Sequence, residues 1–149
     1  MRYRDARSAI EWLSRAFGFD EHLVVPGQGD SIAHAELKFA ASILMLGSGR
    51  DDELQTKTPR ELDGTYTQTL NVYVSDPDAH CARAKGAGAE ILEPPSDTSY
   101  GTKGYVVRDP EGYVWNFNTY RPRENTAGER ARASKGVHIA ASFGKPLSF

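Results

Sequence analysis

Between Ala6 and Phe17 the apolar residues Ala9, Ile10, Trp12, Leu13, Ala16 and Phe17 fall on one face of a 3.6-residue period, with Asp5 ahead of them as N-cap and Gly18 after them as a stop. This spacing predicts a helix. A second helix is predicted behind Asp76 as cap, with Pro77 at the first helical position, Ala79, Ala82 and Ala84 inside it, and Gly86 and Gly88 closing it. After each helix comes a short extended run, at residues 22–25 and 90–92, and then a hairpin. The first hairpin pairs Ile32–Phe39 with residues 43–46 through a turn near Ala40 and Ala41. The second pairs residues 105–108 with 113–119 through Asp109-Pro110-Glu111-Gly112, where Pro and Gly suit the backbone of a tight turn.

The order helix, strand, strand, strand thus occurs twice, with the caps Asp5 and Asp76 about 71 residues apart. A unit of this size cannot bury its helix-facing side alone, so two copies must pack on each other. A strand at residues 70–74 opens the second copy. Its counterpart has only residues 1–4 to draw on, and a clipped first strand is expected.

At 149 residues, 39% hydrophobic and 26% charged, the chain has material for one packed fold unit. A net charge of -2 argues against a nucleic-acid partner, which would call for a clustered basic excess. The charge is uneven: residues 1–120 carry 12 Lys and Arg against 18 Asp and Glu, and residues 121–149 carry 6 against 2. The expected organisation is a body over 1–122, with modules at 1–50 and 66–122, and a basic tail over 123–149. Neither an apolar leader core near Met1 nor a stretch of 18 apolar residues is found, so no membrane association and a cytoplasmic setting are expected. The lone Cys81 excludes an intramolecular disulfide and reads as a small buried residue of the second helix.

The segment from Asp109 to Phe117, with Ala84-Lys85-Gly86-Ala87-Gly88-Ala89-Glu90-Ile91 and Arg15-Ala16-Phe17-Gly18-Phe19, resembles the glyoxalase, bleomycin-resistance and extradiol-dioxygenase (vicinal oxygen chelate) superfamily over roughly residues 2–122. The resemblance implies an α+β fold of two βαβββ modules whose strands form a curved mixed sheet around one cavity, with the helices outside. Strand alternation then turns Leu70, Val72, Val74, Trp115 and Phe117 toward the helices, and Thr69, Asn71, Tyr73, Val114, Asn116 and Asn118 toward the cavity.

Metal-dependent relatives hold a divalent ion with His and Glu on the inward strand faces. At the matching positions this chain has Asn116, Thr69 and, by the best alignment, Met45, while the fourth strand is the clipped one. A carboxamide, a hydroxyl and a thioether make a poor hard-cation site, so neither metal nor other cofactor is expected. The implied function is metal-free binding of a small, aromatic or drug-like molecule by a homodimer, with Met45, Thr69, Asn71, Tyr73, Tyr100, Tyr105 and Asn116 as ligand contacts. The alternative is a lyase- or dioxygenase-type enzyme acting on a small oxygenated substrate, with or without a divalent metal. For it the catalytic candidates are His34 and Glu36, two apart on the polar face of Ile32–Phe39, although a solvated strand face fits the same pattern. His22, His80 and His138 are expected at the surface.

Overall fold

The computed structural model describes residues 1–50 and 55–121, so the basic tail expected at 123–149 lies outside the described residues. The chain runs β1 (Arg2–Tyr3), α1 (Ala6–Phe17), β2 (Asp20–Pro26), β3 (Ile32–Phe39), β4 (Ser42–Ser48), a 3-10 turn at Pro59–Leu62, β5 (Thr69–Tyr73), α2 (Pro77–Gly86), β6 (Glu90–Asp97), β7 (Lys103–Arg108) and β8 (Val114–Asn118). Both modules are βαβββ, as expected. They form two four-stranded mixed sheets, ordered β1-β4-β3-β2 and β5-β8-β7-β6. In each, the first strand runs parallel to the last and the other pairs are antiparallel.

Both helix starts are capped as the sequence predicts, Asp5 accepting from the Ser8 N–H and Asp76 from the Ala79 N–H. Gly18 ends α1 at φ 80, a left-handed conformation open to glycine at little cost. The first strand is two residues long and pairs only with Gly47 and Ser48 of β4. β6 continues to Asp97 and β7 starts at Lys103, and the tight Thr98–Thr102 connection is closed by Thr98 N donating to Thr102 O at 2.7 Å.

One buried cluster joins both helices to the helix-facing side of both sheets, from Leu13, Ala16 and Phe17 of α1 to Ala35, Leu37 and Leu46 of the first sheet and Val107, Trp115 and Phe117 of the second. Phe17 lies at its centre, with ring centroids 4.7 Å from Phe117 and 5.3 Å from Trp115. The helices also close each other's ends: Arg83 of α2 donates to the Ser14 and Arg15 carbonyls of α1, and Trp12 of α1 donates its indole N–H to the Ala87 carbonyl after α2. The helices thus occupy the shared interior rather than the outside expected of them, and in place of one enclosed cavity the opposite face of each sheet is left open. Those two open faces hold the candidate sites.

Candidate ligand-binding site

On the second sheet, alternation places Asn71 and Tyr73 of β5, Asn116 and Asn118 of β8, and Gly104 and Val106 of β7 on the open face. The register confirms the shared face, pairing Asn71 with Asn116, Tyr73 with Asn118, Val106 with Asn116, and Gly104 with Asn118. Glu93 of β6, opposite Val106, completes the row. Together with Thr98, Tyr100, Thr102 and Tyr120 these residues line a depression of about 720 Å³, within the range of small-molecule sites.

Its floor is an amide ladder. Asn118 Nδ2 donates to Asn116 Oδ1 at 3.2 Å and, more loosely, to Asn71 Oδ1 at 3.5 Å, while Asn118 Oδ1 accepts from the Tyr120 N–H at 2.9 Å. Gly104 is required beneath it, since a Cβ there would stand 2.7 Å from Asn118 Cβ and 3.0 Å from the Phe117 carbonyl oxygen. Aromatic rings form the rim. Tyr100 is 74% exposed at the tip of the β6–β7 turn, and the Arg121 guanidinium lies 4.0 Å from the centre of the Tyr73 ring.

The sequence-predicted ligand residues divide among three places. Asn71, Tyr73, Tyr100, Tyr105 and Asn116 all line this depression. Thr69 shares their strand face but is not among the lining residues. Met45, 56% exposed, sits on the open face of the other sheet, where it lines a depression of about 390 Å³ with His34, Met1, Arg2 and Arg50.

Tyr105 stands apart from the other four. It pairs with Phe117 on β8, is 1% exposed, and directs its hydroxyl to His80 Nδ1 at 2.6 Å, so it borders the depression while its hydroxyl is committed to the interior. Among the lining residues that sequence reasoning did not place at the site are Glu93 and Tyr120. Asn118, in phase with Asn116, faces the site as the alternation predicts. Glu93 was not legible, because register shifts on both sides of it in β6 break the alternation count.

His34 and Glu36 are adjacent on the open face of the first sheet, with His34 Nε2 3.2 Å from Glu36 Oε1 and His22 Nε2 3.9 Å from Glu36 Oε2. Among the described residues, no three His, Cys, Asp or Glu side chains are placed to hold a metal ion. The donors at the superfamily's metal positions do not fit one either: Asn116 Oδ1 is engaged by Asn118, Thr69 offers a neutral hydroxyl, and Met45 lies on the other sheet. His80 departs from the surface position expected of it. It is half-buried, with Nε2 donating to the Phe17 carbonyl at 2.9 Å and Nδ1 accepting from Tyr105, and burial lowers its pKa from the usual 6.5.

Two βαβββ modules with open sheet faces and helices packed in the interior define the class, and residues 1–117 match the Glyoxalase/Bleomycin resistance protein/Dioxygenase superfamily, to which the chain belongs. It is 36% identical over 118 residues to an uncharacterised protein of Mycobacterium bovis, covering 76% of this chain and 75% of that one. Among solved structures it is similar to TioX from Micromonospora sp. ML1, with 34% identity, a TM-score of 0.66, and 81% and 94% of the two chains covered. It shares its fold with TnmS3, an antibiotic binding protein from Streptomyces sp. CB03234, at 19% identity and a TM-score of 0.57 over 79% and 88% of the chains.

Proposed function

We propose that this protein binds a small planar, drug-like molecule on the open face of its second sheet without the help of a metal. The observation that carries the reading is the floor of the 720 Å³ depression, where carboxamides stand in place of ionisable ligands and tyrosine rings supply stacking surface. The same fold serves an antibiotic binding protein. The cytoplasm is the proposed setting, in keeping with the single, unpaired Cys81.

The working form of the site is a homodimer. Leu23, Val25, Ile43 and Met45 expose apolar surface on the first sheet, and a second copy whose first sheet faces this second sheet would cover that surface and close the ligand face. It would also bring Met45 into one cavity with Asn71 and Asn116.

The direct experiment is calorimetric titration of chelator-dialysed protein with a panel of planar bicyclic and tricyclic aromatics. Saturable binding unaffected by chelation is the expected result. Binding that appears only after a divalent metal is restored, with one metal per subunit by elemental analysis, would overturn the metal-free reading.

A second reading rests on the 3.2 Å contact between His34 and Glu36 beside the smaller depression, a carboxylate-oriented imidazole of the kind that moves protons in lyases. In that reading a small oxygenated substrate is turned over, and His34→Ala abolishes turnover. Any turnover that survives His34→Ala removes the assignment.

A further inference from the structure

The three carboxamides of the floor have fixed orientations, and the orientation of one dictates the others. A backbone N–H can only donate, so the Tyr120 N–H at 2.9 Å identifies the atom it meets as Asn118 Oδ1. The Nδ2 of Asn118 is thereby turned to its neighbours and donates to the oxygens of Asn116 and, at the longer distance, Asn71. With those oxygens engaged, both residues present their NH2 groups to the depression, and among the described residues no partner meets either Nδ2. Asn71 and Asn116 are cross-strand neighbours, so these donors form one edge of the site.

The opposite edge has the reverse polarity. Glu93 lies opposite Val106, which lies opposite Asn116, so its strand position is two strand spacings, about 10 Å, from Asn116 and three, about 14 Å, from Asn71. Between them the floor is the bare Gly104 backbone and the Val106 side chain, a low apolar strip suited to the face of a fused ring.

We propose that the site selects its ligand by this polarity: a planar fused-ring aromatic with a carbonyl-type acceptor at the Asn71 and Asn116 edge and an amine or N–H donor at the Glu93 edge. The inference rests on the binding reading above and narrows its ligand class. Asn118 makes no ligand contact in this account. It is a positioning residue, holding the donors of its two neighbours outward.

The test uses three related compounds on the full-length protein: 6-acetyl-2-aminonaphthalene, 2-acetylnaphthalene and 2-aminonaphthalene, titrated by calorimetry. The compound with both groups should bind at least about tenfold tighter than either lacking one, the change in Kd for one well-made hydrogen bond. Asn116→Asp replaces a donor by an acceptor of the same shape, and should weaken both acetyl compounds while leaving 2-aminonaphthalene unchanged. Glu93→Gln should weaken only the compounds bearing the amine. Equal affinity of the three compounds for the unaltered protein would overturn the polarity assignment and leave the binding reading standing. Failure of all three to bind at millimolar concentration would overturn both. Because the compound series is read on the unaltered protein, the outcome does not depend on whether a variant folds.

Discussion

The Asp109 carboxylate accepts four hydrogen bonds: from the Tyr3 hydroxyl at 2.8 Å, the Trp115 indole N–H at 3.2 Å, and the backbone N–H groups of Glu111 and Tyr113, both at 3.0 Å. The Tyr3 bond crosses from the second module to the first, and the adjacent Glu111 carboxylate repeats the crossing by accepting from the Arg4 and Asp5 N–H groups. Burial nevertheless dominates and raises the Asp109 pKa from 3.8, with the hydrogen bonds opposing it. A raised carboxyl pKa contributes stability that is present below 3.8 and lost as the pH rises through the folded value. Tyr3→Phe removes one of the bonds that favour the ionised form, so its cost should grow with pH above 3.8 and reach about 1–3 kcal/mol once Asp109 is ionised. Urea unfolding of both proteins from pH 4 to 8 reads this directly, and a cost independent of pH would place the role of Tyr3 in packing alone.

At the scale of elements, His80 fastens α1, α2 and β7 together. Its ring bonds the last carbonyl of α1 on one side and Tyr105 on the other, and packs 4.3 Å from the Phe117 ring. Protonation would place a second N–H on Nδ1, where the Tyr105 hydroxyl now donates, and would charge a desolvated ring. The folded pKa is therefore below 6.5, and its contribution is present above 6.5 and lost as the pH falls from there toward the folded value. Thermal unfolding should show Tm declining below pH 6.5, and His80→Gln should flatten that decline. An unchanged slope in the variant would assign it to other groups. Tyr105 and His80 were hard to place from the sequence because a strand tyrosine and a helix histidine fit either face until the partner element is known.

At the scale of the whole molecule, the open sheet faces are where the proposed assembly is tested. The proposed dimer covers Leu23, Val25, Ile43 and Met45, so a charge at Met45 should oppose it. Light scattering on a sizing column should show a dimer for the parent and a shift to monomer for Met45→Glu, with the ligand affinity of the monomer reduced because half of each cavity wall is gone. A parent protein that is monomeric at tens of micromolar would overturn the dimer. Ligand affinity that is unchanged in a monomeric variant would confine the site to a single chain.

Local patterning by itself determined the two capped helices, the strands that follow them, the short first strand and the repeat that joins them, because caps, period and turn residues act within a few positions of one another. Alternation put Asn71 and Asn116 each on one face of its own strand, and only the family resemblance implied that those faces are shared. Only the tertiary structure decided that Met45 and the asparagines lie on different sheets, that Tyr105 and His80 belong to the interior, and that Asn118 orients its neighbours. Those facts depend on the packing of both helices against both sheets and on the bulged register of β6, contacts between residues far apart in sequence that no local pattern encodes.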